Sequence, residues 1–376
     1  MVEVRLRDFR SYHDARVALG EGVTVITGAN GAGKTNLLEA IYFGCTGRSC
    51  RTSNEREVVR FGAQATRVIV TSSAEDGPHE TSVGFAPGQP KRLRADGAPV
   101  ERLLDAPARP LLSVFLPDRL DLVKGPPALR RGHIDQLAAA LWPARAPSRR
   151  AYALALAQRN ALIGRVRAGV SSPSSLSAWD SELARHAIAL MESRRQAVAA
   201  VATAAERAGG RLGLEGRLRV SYHPRSRATE AAQLVEELGE RRERDLERGF
   251  TGHGPHRDDL DLELGGRDLR AYGSQGQQRL ALLALLLAER EAIAEHRPAP
   301  PVMLLDDVMS ELDPRRREAL VEVLRGGGQA LITTTDLEQV PGAHEADVAH
   351  VVVSDGRAAP AASATLPAAS AVLGTR

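Results

Sequence analysis

Apolar positions along this chain follow three different spacings, and the changes between them divide it into segments. Met1-Val2-Glu3-Val4-Arg5-Leu6-Arg7 alternates apolar and charged residues, the two-residue period of a half-buried strand. Val23-Thr24-Val25-Ile26-Thr27 is a continuous β-branched run ending at Gly28, which suits a strand buried on both faces. Asn36-Leu37-Leu38-Glu39-Ala40-Ile41-Tyr42-Phe43 then continues past Thr35 as a helix. Val68–Thr71 and Thr81–Phe85 predict further strands, divided by a turn at Glu75-Asp76-Gly77-Pro78. From about Pro126 to Arg248 the spacing becomes helical, most clearly over Ser181 to Arg207, where Leu183, Ala187, Leu190, Met191, Val198 and Val201 recur at threes and fours. Such a helix would run roughly 40 Å at about 1.5 Å per residue. Ser171-Ser172-Pro173 and Gly209-Gly210 break the region into a few packed helices whose apolar stripes are core. After Gly249 strand patterns return: Leu260, Leu262 and Leu264 alternate before Gly265-Gly266, Val302-Met303-Leu304-Leu305 is a buried strand, and Ala330-Leu331-Ile332-Thr333 is another, with a Leu/Ala-rich helix over Leu280 to Ala294. The whole reads as an α/β fold. Residues 1–125 and 249–357 form one domain, 126–248 an inserted mainly helical lobe, and 358–376 a disordered tail rich in Ala, Ser and Pro.

Three motifs carry chemistry. Gly28-Ala29-Asn30-Gly31-Ala32-Gly33-Lys34-Thr35 fits the phosphate-loop pattern, and a strand precedes it while a helix follows, the context that pattern requires. Its glycines let backbone N–H groups converge on a β-phosphate, Lys34 adds a point charge, and the Thr35 hydroxyl suits Mg²⁺. The strand at Val302–Leu305 ends in Asp306-Asp307. A buried parallel strand delivers its C-terminal end beside a phosphate loop, so Asp306 is the expected Mg²⁺ partner and Asp307 the group that orients or deprotonates an attacking water. Ser310-Glu311-Leu312-Asp313 follows at once, and Asp313 before Pro314 serves either as a helix cap or at a subunit contact. Third, Ser274-Gln275-Gly276-Gln277 opens the Leu/Ala-rich helix, and a helix N-terminus binds phosphate through its free N–H groups and dipole. Ser274, Gly276 and Gln277 are therefore the remaining nucleotide candidates.

Composition narrows the classes. At 376 residues with 43% hydrophobic and 26% charged content, the chain has the make-up of a soluble globular protein with room for one or two cores. No run approaches the roughly 18 apolar residues needed to cross a bilayer. The N-terminus lacks a signal peptide's apolar block, so a cytoplasmic location without a membrane partner is expected. Net charge is +3, too small to prove a nucleic-acid partner, and only three of the 50 basic residues (Lys34, Lys91 and Lys124) are lysine. A GC-rich genome explains that bias, although arginine also suits phosphate through its planar fork. Cys45 and Cys50 cannot complete a zinc site between them and read as structural or incidental. His253, His256, Asp258 and Asp259 are better explained as a hydrogen-bonding segment than as metal ligands, because Gly254-Pro255 forbids a regular helix there.

The order of phosphate loop, Ser-x-Gly-Gln and Asp-Asp strand resembles the head of ATP-binding-cassette ATPases, a mixed sheet with flanking helices. In detail the sequence is similar to the RecF family of bacterial recombination mediators. The matching segments are Asp8-Phe9-Arg10-Ser11-Tyr12, Asn30 to Ile41, Gly47-Arg48-Ser49-Cys50-Arg51, Leu116-Pro117-Asp118, Arg130-Arg131, Gln158-Arg159-Asn160, Gly254 to Asp259, Ser274 to Arg279, and Leu305 to Asp313. The resemblance implies a homodimer formed with ATP and Mg²⁺ between its heads, with Ser274 and Gly276 of one subunit meeting the γ-phosphate held by Lys34 of the other. It also implies binding to DNA at single-strand gaps and double-strand/single-strand junctions, action with RecO and RecR to load RecA, and links to replication restart and the SOS response. Weak, DNA-dependent ATP hydrolysis would act as the switch. There are departures from transporter heads. Thr333-Thr334-Thr335-Asp336 stands where they carry a switch histidine, and Asp118 is the only polar candidate near a Gln-loop position, so slow turnover is expected.

DNA contacts are expected from Arg48, Arg51, Arg56 and Arg60, with Arg67, Arg92 and Arg94 nearby, although a solvated charged face explains them equally. With aromatics only 3% of the chain there is no stacking platform, which favours backbone contact to duplex or junction. Two rival readings remain: a transporter ATPase subunit, and a chromosome-organising ATPase of the SMC type. The 240 residues from Lys34 to Ser274 exceed what a transporter head needs, and a middle segment of about 120 residues cannot build a long coiled-coil arm.

Overall fold

A continuous apolar run makes a strand only where both faces are covered, and the chain supplies that cover. The computed structural model describes residues 1–106, 109–116 and 120–361; Pro117, Asp118 and residues 362–376 of the expected tail lie outside them. Two compact units are present, Met1–Leu116 with Pro301–Arg376, and Pro117–Pro300. Residues 249–300, expected to belong with the phosphate loop, instead fall in the second unit. The reason is pairing: all six residues of Asp259–Leu264 pair antiparallel with Leu218–His223.

In the first unit Val23–Thr27 has every residue buried, because it lies parallel between Ala330–Thr334 and Ala349–Ser354. Val302–Leu305, also fully buried, lies parallel between Ala330–Thr334 and Leu112–Phe115. Arg357–Pro360 closes the other edge of this six-stranded sheet. That last strand corrects the expected tail: Ala358 to Pro360 pair with Val351 to Val353 across a turn at Asp355-Gly356, both at positive φ (49° and 70°). A second six-stranded sheet, antiparallel, runs in the order Tyr12–Ala18, Glu3–Phe9, Thr66–Ala74, Gly77–Phe85, Arg92–Ala95, Ala98–Pro99. The phosphate-loop helix, Lys34–Thr46, joins the two sheets through one apolar cluster. Leu37, Leu38, Ile41 and Phe43 pack with Val68, Val70 and Val83 from the antiparallel sheet and with Ile26, Leu304 and Leu331 from the parallel one. Each such side chain contributes about 1.5–3 kcal/mol when fully buried. Gly44 marks the closest approach, since a Cβ there would stand 2.6 Å from a Val70 methyl.

The second unit is mainly helical, with Pro127–Leu141, Ala146–Arg167, Leu176–Arg211 and Gln275–His296 as its long helices. The expected break at Gly209-Gly210 falls one residue later, since the helix from Leu176 takes in both glycines and ends at Arg211, 36 residues. Gly209 is tolerated because its bare Cα faces Leu214 and Leu218, which would stand 3.2 Å and 3.4 Å from a Cβ. The expected break at Ser171-Ser172-Pro173 does separate two helices. The Gly254 to Asp259 segment sits on a buried ion network. Arg159 binds Asp180 at 2.7 Å and Asp245 at 2.8 Å, Arg194 binds Asp135 at 2.7 Å and Asp258 at 3.1 Å, and Arg130 holds Asp259 through both carboxylate oxygens. Removing one partner of such a pair costs about 3–5 kcal/mol, because the other charge stays buried. His253 meets Glu237, and His256 meets Tyr152 and the Thr251 carbonyl. No cluster of three or more metal-ligating side chains exists among the described residues. None of their helices is long and apolar enough to cross a membrane.

Candidate functional site

The phosphate loop begins where Val23–Thr27 leaves the parallel sheet, and two glycines shape it, Gly31 at φ 81° and Gly33 at φ 116°. Gly33 admits no other residue, because a Cβ would lie 2.8 Å from Ser11 Oγ in an already left-handed conformation. Behind it the buried Tyr12 hydroxyl donates to the Gly33 carbonyl at 2.9 Å, so the second sheet braces the loop. The Lys34 ammonium is folded into the loop, donating to the Gly28 carbonyl at 2.7 Å and the Ala29 carbonyl at 3.1 Å. Burial holds its pKa below the ordinary lysine value, opposed by the nearby Asp307 and Asp306 charges.

Sheet order explains how Asp306 reaches Thr35 across 271 residues. Ala330–Thr334 lies between the phosphate-loop strand and the Asp-Asp strand, with Ile332 opposite both Val25 and Leu305. Thr333 is therefore the residue between the two motifs. Its hydroxyl donates to Asp306 Oδ1 at 2.7 Å and accepts the Asp307 N–H at 2.9 Å. Thr35 Oγ1 donates to the same carboxylate, 3.0 Å from Oδ1 and 2.9 Å from Oδ2. Burial pushes the Asp306 carboxyl above the usual range, offset by its bonds to Thr333 and Thr35, and Asp307 adds to the rise. Asp307 itself is in the left-handed region at φ 45°, a conformation a non-glycine residue keeps only where its surroundings enforce it. Its Oδ2 accepts from Ser310, while Oδ1 is buried and accepts no hydrogen bond.

These features fit a triphosphate with its divalent cation. The loop can turn N–H groups inward, Lys34 has a charge now given to its own carbonyls, and Thr35 with Asp306 brings hydroxyl and carboxylate oxygens to one point. Thr333 and Glu39 belong to the site without standing in any of its three motifs. Glu39 is fully buried, accepts both an Arg10 fork (2.8 and 2.9 Å) and the Ser49 hydroxyl (2.6 Å), and meets Arg51 at 3.1 Å. The signal was a carboxylate inside the apolar run Leu37-Leu38-Glu39-Ala40-Ile41.

Ser274 belongs to the second unit, where it caps Gln275–His296. Its hydroxyl accepts the Gln277 N–H at 3.2 Å, and the Gln277 side chain returns to the Ser274 N–H at 2.9 Å, a reciprocal capping box. Both Ser274 and Gly276 are exposed, and a Cβ on Gly276 would meet nothing within 4 Å. Gln278 holds this turn from beneath, donating to the Leu269 and Gly273 carbonyls. Asp313 caps its helix through the Arg316 N–H, as one of its two expected roles requires. The four arginines expected on DNA divide. Arg51 is engaged by Asn36 and Glu39, and Arg60 by Asp8 at 2.7 Å, whereas Arg48 and Arg56 are exposed with no side-chain ion pair among the described residues.

Residues 3–86 match the AAA domain family. A relative from Anaeromyxobacter sp. (strain Fw109-5), DNA replication and repair protein RecF, is 39% identical over 373 residues, covering 96% of this chain and 99% of its own. Its namesake from Myxococcus xanthus (strain DK1622) is 36% identical, covering 98% and 100%. A solved structure described as the recombination mediator protein RecF with ATP in the RecFOR pathway superposes with a TM-score of 0.84 at 27% identity, over 96% of this chain and 97% of that one. An Smc head domain from Pyrococcus furiosus superposes at 0.57 with 17% identity, a likeness of fold alone. Near-complete coverage in both directions, at identities well above 30%, places this chain in the family of DNA replication and repair protein RecF.

Proposed function

We propose that this chain is an ATP-gated DNA clamp of recombinational repair that closes as a homodimer. The observation that carries the reading is that one chain holds two complementary half-sites. Lys34, Thr35, Asp306 and Asp307 form a triphosphate cradle in one unit, and the other unit starts a helix at an exposed Ser274 cap with open space beside Gly276.

Lys34 would leave its loop carbonyls for the β- and γ-phosphate oxygens, while Gly31 to Thr35 supply backbone N–H groups. Thr35 and Asp306 would hold Mg²⁺, which neutralises charge on the phosphates. Ser274 and Gly276 of the opposing copy would face the γ-phosphate through the helix N-terminus, so that ATP joins the copies and its loss releases them. The free Oδ1 of Asp307 would take the proton of the attacking water, with Ser310 and Thr333 fixing its orientation. Thr335-Asp336, not a histidine, stands directly after Ala330–Thr334, which supports slow hydrolysis suited to a timed switch. Family membership supports a soluble, cytoplasmic protein that binds DNA at single-strand gaps or junctions and works with RecO and RecR towards RecA loading, within replication restart and the SOS response. Arg48 and Arg56 remain the candidates for contact to duplex phosphates.

The test is mass in solution with ATP and with ADP, for the parent and for Lys34→Met, with and without gapped DNA. ATP should drive the parent to a dimer that retains DNA, and Lys34→Met should stay monomeric. Dimers of equal stability without nucleotide would remove the gate.

A further inference from the structure

Five aspartates of the second unit, buried or half-buried, are engaged by buried arginines: Asp180 and Asp245 by Arg159, Asp135 and Asp258 by Arg194, Asp259 by Arg130. Beside this network lies a cleft of about 340 Å³ lined by Arg225, Arg248, Phe250, Gly252 and Arg257. No acidic residue lines it, and its three guanidiniums are exposed, with no ion pair among the described residues. Their backbones are nevertheless fixed to the network. The Arg225 N–H donates to Asp258 Oδ1 at 2.7 Å, and the Gly252 N–H to Asp245 Oδ1 at 2.9 Å. Arg248 ends the helix Arg242–Arg248 that carries Asp245, and Arg257 ends the turn whose Pro255 carbonyl accepts from Arg194 at 2.7 Å. Three like charges thus converge on one concave surface with a rigid floor, an arrangement that favours a multivalent anion. Phe250 adds an apolar ring, 40% exposed, with the Arg257 guanidinium 5.5 Å from its centroid.

We infer that this cleft binds the single-stranded side of the DNA, with Arg225, Arg248 and Arg257 on successive phosphates and an unpaired base stacked on Phe250. The inference rests on the DNA-binding reading above and adds to it a location and a strand. Guanidinium forks would also accept an acidic peptide, but a ring flanked by arginine favours a nucleobase, whose π-face it can stack. Aromatics at 3% give no extended platform, so the expected contact is one base wide.

The test measures binding of a fluorescent oligothymidylate to the full chain with ATP, across a salt series. Arg225→Gln/Arg248→Gln/Arg257→Gln should weaken binding by at least about tenfold and lower the salt slope by about 2, since each single-strand phosphate contact contributes about 0.7. Each single substitution should lower that slope by about a third as much. Phe250→Leu should weaken oligothymidylate by about tenfold and leave a blunt duplex unaffected. Melting temperature and ATP-driven dimerisation should be unchanged in every variant. Parental affinity and slope in the triple variant would overturn the cleft while leaving the clamp intact, as would displacement of the oligonucleotide by polyglutamate at matched charge. A parent chain that binds no DNA with ATP would overturn the clamp and the cleft together.

Discussion

Asp306 and Asp307 are adjacent in sequence yet differ in what surrounds them, and the roles proposed for them rest on that difference. Asp306 is held by two threonine hydroxyls and is already arranged as a ligand. Asp307 keeps one carboxylate oxygen buried with no donor, on a backbone held at φ 45°. Asparagine tolerates that conformation, so Asp307→Asn should fold and bind ATP while its hydrolysis falls by about 10²- to 10⁴-fold, the usual contribution of a positioned base. Single-turnover hydrolysis beside light scattering reads both; a parental rate would remove Asp307 from the reaction. Asp306 yields a pH prediction. Burial raises its folded pKa above the unfolded value, so ionising it opposes folding. The stability linked to its proton is fully present on the acid side and is lost as pH rises through the raised pKa. In the nucleotide-free protein, the melting temperature of Asp306→Asn minus that of the parent should therefore increase between about pH 4.5 and about pH 7.5. A difference independent of pH would contradict the burial argument.

At the scale of elements, the helix Gln275–His296 separates structural from interfacial roles. Ser274 caps it, so Ser274→Ala should cost about 1 kcal/mol in the monomer whatever else the serine does. Gly276 is the cleaner probe. It stands in the first turn with nothing within 4 Å of a would-be Cβ, and a carboxylate there complements the helix dipole. Gly276→Asp should leave the monomer's melting temperature unchanged or slightly raised, yet abolish the ATP-dependent dimer by bulk and by charge against the γ-phosphate. Size-exclusion chromatography with ATP and a thermal melt without it decide the matter, and a normal ATP dimer would detach this turn from the interface. The same helix shows what was legible in the sequence. Its start, its cap and its apolar length are local signals, as are the buried strands Val23–Thr27 and Val302–Leu305. Leu112–Phe115 escaped notice because four residues with Ser113 among them lack a readable period. The hairpin to Arg357–Pro360 was hidden in Ala-rich sequence, although Asp355-Gly356 is a turn signal in its own right. Lys34, Thr35 and Asp306 were readable as a set because motifs fix them. Thr333 was not, since its role depends on Ile332 lying opposite both Val25 and Leu305.

For the whole molecule, the decisive question is whether one chain can complete its own hydrolytic site. In the proposed clamp the Asp307 side and the Ser274 side of each reacting triphosphate come from different copies, so a lone chain binds ATP but lacks the groups that face the γ-phosphate. Specific activity per chain should then rise with protein concentration and level off once dimers predominate. In a self-sufficient ATPase it would be flat. Mixing supplies a sharper version. Lys34→Met retains Ser274 and Gly276, and Gly276→Asp retains Lys34, Thr35, Asp306 and Asp307. Each alone should be inactive, but a mixture holds one competent composite site in each mixed dimer. Neither variant dimerises with itself, so the dimers that form in an equal mixture are mixed, and with one of two sites competent in each they should recover up to about half of parental activity. The plateau of the parent should stay below about 10 s⁻¹, the median for ordinary enzymes, as befits a clamp whose DNA-bound lifetime is set by hydrolysis. Activity independent of concentration, with no recovery on mixing, would leave the phosphate-loop cradle as a nucleotide pocket and deny it the partner on which the switch depends.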